Sequence, residues 1–250
     1  MWTDIGADAY GRFMGLYAEP LADAFVALAD LQAGQRALDV GCGPGTLTAR
    51  LVERLGPQAV AAVDPSPPFV DAASGRCPGV DVRQARAEEL PFEDGAFDVA
   101  LAQLVVHFMD DPVVGLREMG RVVGGDGLVG ACVWDERLSG PLAVFWAAAS
   151  ELGPGVPNEP RAGTRAGHLA ELCDEVGLRV VEDTRLDVTV PFASFEEWWA
   201  PYTLGVGPAG QYVAALEDDA RDRLRDLCAE RLPDGPFDVT AGAWTVLARA

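Results

Sequence analysis

The stretch Leu38-Asp39-Val40-Gly41-Cys42-Gly43-Pro44-Gly45-Thr46 decides how this chain is read. A short apolar run, Arg36 to Val40, ends in a glycine bend. Thr46 to Leu55 then places apolar residues at 47, 51, 52 and 55, a helical period. Strand, bend and helix in that order put the bend at the carboxyl edge of a parallel strand, where open α/β sheets bind ligands. Glycines there accept positive φ and let a bound molecule approach the backbone, and the helix start offers free N–H groups.

Outward from this bend, strand-like and helix-like segments alternate, the pattern of a parallel sheet covered on both faces. Upstream, Glu19 to Leu31 repeats apolar residues at 21, 25, 28 and 31, a helix ending before Gly34. Downstream, Ala59 to Val63 predicts a second strand, Pro67 to Arg76 a helix with proline in its first turn, and Val80 to Gln84 a third strand. Phe97 to Ala102 is almost continuously apolar, as a strand buried on both faces should be. Asp110-Asp111-Pro112 caps a helix over Val113 to Val123, and a glycine turn leads into a fifth strand, Leu128 to Trp134.

Beyond that point the pattern changes. Residues 139 to 152 read as an aromatic helix, 153 to 167 as a loop rich in Pro and Gly, and His168 to Val176 as a helix stopped by Gly177. Arg179 to Val190 and Val239 to Leu247 read as the last two strands. Between them, Pro191 to Gly235 is too long for a plain loop and carries helical signals, namely a capping box at Ser194 and Glu197 and an apolar stripe at Ala220, Leu224, Leu227 and Leu232. The expectation is one Rossmann-like α/β domain with a seven-stranded, mostly parallel sheet, helices on both faces and a small helical lid. Its parts are an N-terminal helical cover at 1–35, a ligand-binding domain at 36–190 and 236–250, and the lid inserted at 191–235.

Composition narrows the function. The 250 residues carry a formal net charge of -20, and no basic run offers a patch for a phosphate backbone or an anionic leaflet, so no nucleic-acid partner is expected. All 19 basic residues are Arg. Without Lys there is no Schiff-base amine and no Walker A lysine. Five cysteines, odd in number and never spaced C-x-x-C, argue against a disulfide framework or a zinc knuckle, and no metal site is expected. No signal-peptide pattern and no 18-residue apolar run occurs, so the expected setting is cytoplasmic, with no membrane insertion.

The acidic residue followed by G-x-G-x-G, at Asp39, Gly41, Gly43 and Gly45, resembles the first motif of class I S-adenosylmethionine (SAM) dependent methyltransferases. From Arg36 to Trp134 the chain is similar to the branch typified by ubiquinone and menaquinone biosynthesis enzymes, which carry the type 11 methyltransferase domain. The resemblance implies SAM as cofactor, with Asp39 at its methionine end, Gly41, Cys42 and Gly43 under it, and Asp64 and Pro65, which end strand two, at the ribose. Ala85-Arg86-Ala87-Glu88-Glu89-Leu90-Pro91-Phe92 is similar to the family's adenine segment, implicating Ala87 and Glu88. Arg86 departs from it by standing where Asp is common. Glu88 and Glu89 also read as a plain solvated turn.

Strand four runs into Gln103-Leu104-Val105-Val106-His107, similar to the family's fourth motif, so Gln103 is expected to line the cofactor pocket. His107, one of two histidines, is the candidate catalytic residue. A neutral imidazole at the mouth could take a proton from a substrate hydroxyl, touch the pocket without proton transfer, or only hold the loop. Methyl transfer itself asks mainly for alignment, so a base is optional. Candidate acceptor contacts are aromatic: Tyr10, Phe13, Tyr17, Trp134, Phe145, Trp146, Trp198, Trp199 and Tyr202. Phe195, Trp198, Trp199 and Tyr202 share one helical face, which reads either as a pocket wall or as core.

The expected activity is methyl transfer to oxygen or carbon of a small apolar or aromatic metabolite. Two alternatives stay open. One is a protein of the same fold that uses SAM without methylating, or only binds it. The other is an NAD-dependent Rossmann oxidoreductase, although Thr46 stands where its G-x-G-x-x-G fingerprint needs the last glycine.

Overall fold

The computed structural model describes residues 14–135, 139–153, 161–205 and 207–250. One sheet of seven strands organises them: β1 (Ala37–Val40), β2 (Val60–Asp64), β3 (Asp81–Gln84), β4 (Val99–Gln103), β5 (Leu128–Trp134), β6 (Arg179–Phe192) and β7 (Phe237–Arg249), in the order β3-β2-β1-β4-β5-β7-β6. The first five run parallel, while β7 is antiparallel to both β5 and β6. Strands β1, β2 and β5 are buried along their whole length, which is why they read as unbroken apolar runs. The edge strands β3 and β6 are largely exposed.

The helices are α1 (Gly15–Ala29), α2 (Thr46–Leu55), α3 (Pro67–Arg76), α4 (Pro112–Val123), α5 (Ala143–Ala149), α6 (His168–Glu175), α7 (Phe195–Trp199), α8 (Gly207–Ala214) and α9 (Asp218–Ala229). Helices α2 and α3 and strand β5 keep the bounds expected from sequence. Helix α1 does not: it begins one turn before Glu19 and contains Pro20. The extra turn buries Tyr17 and Ala18, and that burial outweighs the backbone hydrogen bond that Pro20 cannot make. The aromatic helix shrinks from 139–152 to α5. Strands β6 and β7 lengthen, because their antiparallel pairing continues to Phe192 opposite Phe237.

Two apolar layers sandwich the sheet. One joins it to α1, α2, α5 and the helical insertion between β6 and β7, and the other joins it to α4 and α6. At the start of α4, the Asp111 carboxylate accepts from the Val113 and Val114 amides, the cap that its sequence announced. Asp98 belongs to the scaffold, accepting from the Arg36 amide at 2.7 Å where β1 begins. Glu19 on α1 accepts from Arg50 of α2 at 3.1 Å and from Arg76 of α3 at 2.6 Å, clasping α1 over the carboxyl edge of the first strands. All five cysteines are buried and free.

Candidate active site

Beyond β1 the chain enters the glycine bend with φ +73 at Gly41 and +53 at Gly43. The amides of Gly41 and Cys42 both donate to the Val63 carbonyl, at 2.8 and 2.9 Å, which ties the bend to the end of β2. The Gly43 amide donates to Asp64 Oδ2 at 2.9 Å, and the Ser66 amide donates to Oδ1 at 2.8 Å. At Gly41 a Cβ would lie 2.5 Å from a Val105 methyl, so only glycine fits. At Gly43 a Cβ would meet nothing within 4 Å, and Gly43 lines the cavity that opens here.

That cavity, about 490 Å³, is lined by Asp39, Gly41, Cys42, Gly43, Asp64, Pro65, Ala87, Glu88 and Gln103, so the fold gathers every residue expected to contact the cofactor. Asp39 is buried, and its Oδ2 accepts from the Thr48 hydroxyl at 2.6 Å. Burial pushes its carboxyl up to about 7; the Thr48 bond pulls it back and the charge of Asp64 adds to the rise. Asp64 is raised by burial too, against the pull of its two amides. Cys42 and Cys132 nearby are held as neutral thiols, chiefly by burial. Among the described residues, neither Asp39 nor Asp64 carries an ion pair. A buried carboxylate without a cation is costly, so the pair suits a cationic guest.

On the side of Ala87 and Glu88 the structure adds contacts within the protein. Glu88 Oε1 accepts from the Asp110 and Asp111 amides at 2.8 and 3.3 Å, so this carboxylate holds the loop after β4 and is no mere solvated turn. Arg86 pairs with Asp110 and reaches Glu88 Oε2 at 3.6 Å, closing an ionic rim. Gln103 donates through Nε2 to the Ala18 carbonyl of α1 at 3.0 Å, while its Oε1 is buried and unpartnered, an acceptor available to an ammonium group.

His107 does not line the cavity. It sits in a 3-10 turn, Val106–Phe108, with its ring centroid 3.9 Å from that of Phe108, which does line it. Burial and the nearby Arg161 charge hold the imidazole well below its usual range, so it is neutral. The aromatic acceptor candidates also pack elsewhere. Tyr17, Trp134, Phe145, Trp198, Trp199 and Tyr202 are buried in the core, with Phe145 stacked on Tyr202 at 4.6 Å and Tyr17 edge-on to Trp134 at 6.4 Å. Trp146 is half-buried against Phe145. The stripe on α7 and the turn after it docks the insertion on the sheet. Tyr10 and Phe13 lie outside the described residues.

Sequence reasoning missed Thr48, Ala18, Leu104, Val105, Phe108 and Met109. Thr48 left a signal, a polar residue three before Leu51 and seven before Leu55 on the apolar face of α2. The other five looked like ordinary core residues.

The β3-β2-β1-β4-β5-β7-β6 sheet with an acid-flanked glycine bend at its rim is a Rossmann-like arrangement, a fold shared with solved SAM-dependent methyltransferases. Residues 38–130 match the family described as "Methyltransferase domain". The chain is 35% identical over 114 residues to the ubiquinone/menaquinone biosynthesis C-methyltransferase of Stenotrophomonas maltophilia, a match covering 42% of this chain and 45% of that one. It spans about a third to a half of the length of such curated relatives. Among solved structures, a putative methyltransferase from Bacillus halodurans superposes with a TM-score of 0.60 at 17% identity, covering 91% of this chain and 97% of that one. The [4+2]-cyclase SpnF superposes with a TM-score of 0.60 at 22% identity, covering 92% and 80%. Such likenesses speak to the fold alone.

Proposed function

We propose that the protein transfers a methyl group from SAM to oxygen or carbon of a small apolar or aromatic acceptor. The observation that carries this reading is the pair of buried carboxylates, Asp39 and Asp64, without an ion pair among the described residues, in the lining of a glycine-lined cavity. Bound SAM supplies a methyl group already activated by its sulfonium. In this reading Asp39 and Gln103 Oε1 take the ammonium end, Asp64 takes the ribose hydroxyls, and Ala87 and Glu88 flank the adenine.

Helix α1 covers the cofactor, held down by Glu19 and by the contacts of Tyr17 with Trp134 and Phe192. The helical insertion packs in the same apolar layer as α1 and backs this wall. Beside the polar Thr46, Ser66, Arg86 and Asp110, the rest of the lining includes the apolar side chains of Leu47, Phe69, Leu104, Val105, Phe108 and Met109, and the relative named above is a C-methyltransferase of quinone biosynthesis; both favour an apolar or aromatic acceptor. No run of basic residues interrupts the net charge of -20, which disfavours nucleic-acid substrates. Among the described residues no helix is long and apolar enough to cross a membrane.

His107 acts through Phe108 rather than on the acceptor, since proton transfer needs hydrogen-bond reach of the reacting group. The decisive experiment is a thermal shift with SAM and NAD in parallel, followed by S-adenosylhomocysteine release with phenols and hydroquinones. A ligand that binds only the native state raises Tm. Protection by SAM and turnover are expected. Protection by NAD alone would return the chain to the oxidoreductases, and tight SAM binding without turnover would favour a non-methylating use of the fold, as the cyclase neighbour illustrates.

A further inference from the structure

Strand β4 alternates as a doubly covered strand should. Val99 and Leu101 pack in the layer under α1, and Ala100 and Ala102 in the layer under α4. Gln103 continues the alternation by bonding to Ala18 of α1. The next side chain should therefore fall with Ala102. Leu104 instead belongs to the α1 layer, which also holds Tyr17 and Trp134, and it lines the cavity as Gln103 does.

Its backbone explains the reversal. Leu104 has φ +62, a left-handed conformation uncommon for a bulky side chain. Both ends of the turn are fixed: the Leu104 amide donates to the Cys132 carbonyl at 2.8 Å, and the Val105 methyls fill the space beside Gly41. The other described non-glycine residue at positive φ is Asp30, which ends α1. Leu104 ends no helix, and glycine would make the same turn without penalty. Strain kept at a cavity wall points from the outlier to a use for the side chain.

We infer that Leu104 sets the width of acceptor the site admits, standing as the partition between the cofactor cavity and the aromatic residues Tyr17 and Trp134 behind it. The inference rests on the methyl-transfer reading above and names the residue that selects among its acceptors. Truncating Leu104 opens the cavity toward the aromatic layer. Bulkier acceptors then gain, while the cofactor contacts at Asp39, Asp64 and Gln103 stay in place.

The test uses the full chain, SAM, and 1,4-hydroquinones bearing hydrogen, methyl, prenyl or geranyl at the 2-position. For wild type, Leu104→Met, Leu104→Ala and Leu104→Gly, one measures kcat and KM along the series, the SAM dissociation constant by calorimetry, and Tm. Leu104→Met, which keeps the volume, should keep the wild-type order of substrates. Leu104→Ala and Leu104→Gly should shift relative kcat/KM toward the bulkier members by roughly tenfold or more, mainly through KM, with SAM affinity unchanged. The Gly variant should melt above the Ala variant, the reverse of the usual order, because only glycine is unstrained here. Should the truncated variants not fold, Leu104→Asn, which tolerates the left-handed backbone, carries the same comparison. An unchanged substrate order with normal SAM binding overturns the role of Leu104 and leaves methyl transfer standing. A wild-type protein that binds no SAM, or binds it and methylates none of the series, overturns the underlying reading and this inference with it.

Discussion

The Gly43 amide donates to Asp64 Oδ2 at 2.9 Å across 21 residues of sequence, so the bend after β1 and the acid ending β2 form one unit. The same carboxylate lines the cavity, so in the proposed reading Asp64 is both a strut of the bend and a ligand contact. Asp64→Asn keeps the shape but faces one of the two amides with a donor. We expect SAM affinity to fall roughly 10- to 100-fold, the scale of one or two charge-assisted hydrogen bonds. Stability should change by less than about 1.5 kcal/mol, because removing a buried charge offsets the weakened amide bonds. Calorimetric titration and urea unfolding on the same variant separate the two. A large loss of stability with intact affinity would make Asp64 purely structural.

Gly41 and Gly43 divide the labour of the bend, and alanine at each should fail differently. At Gly41 the new methyl collides with Val105, and the left-handed backbone adds its own penalty, so Gly41→Ala should lose about 2–4 kcal/mol of stability. At Gly43 the methyl enters open cavity, so Gly43→Ala should lose only about 1–2 kcal/mol but bind SAM far more weakly. Denaturant melts and SAM titrations on the pair check the division. Equal effects of the two substitutions on both measurements would refute it.

Much of this was legible beforehand, for reasons that can be named. Asp39, the bend and Asp64 announce themselves because a parallel sheet brings the ends of neighbouring strands together, so two acids at two strand ends must share a rim. The stripe of Trp198, Trp199 and Tyr202 was legible as a face but not as a contact: periodicity says which side is apolar, never what covers it, and here Phe145 does. Leu104 was illegible because its meaning lies in a backbone angle that leucine seldom adopts. The bonds that Glu88 accepts from the Asp110 and Asp111 amides were illegible because they join residues 22 and 23 positions apart across a loop.

The raised carboxyl of Asp39 makes a pH prediction whose sign follows from linkage. In the unfolded chain an aspartate titrates near 3.9, whereas in the fold Asp39 holds its proton up to about 7. Its contribution to ligand-free stability is therefore fully present below about 4 and is lost as pH rises through about 7. A cationic ligand selects the ionised form, so SAM should bind about tenfold more weakly at pH 6 than at pH 8 and should displace a proton on binding near pH 6. Calorimetry in two buffers of different ionisation enthalpy counts that proton. Asp39→Asn should bind SAM weakly at every pH and release none. A wild-type affinity that is flat from pH 6 to 8 would contradict the burial argument for Asp39.

His107 offers a choice between chemistry and architecture. A general base removed from its site typically costs 10²- to 10⁴-fold in rate, and the remaining activity loses the limb of the pH profile that the base imposed. The imidazole, however, packs on Phe108 outside the cavity lining and is neutral throughout the working range, with Nδ1 buried and unpartnered. His107→Gln should therefore keep kcat within about tenfold of wild type, with an unshifted pH profile and a raised KM for the acceptor as Phe108 loosens. Phe108→Ala should raise the same KM, and the double substitution should do little more than Phe108→Ala alone, because the two residues act in series. A fall in kcat of a hundredfold or more in His107→Gln, together with loss of a pH limb near neutrality, would instead place the imidazole at the reacting atoms and require the loop after β4 to move when an acceptor binds.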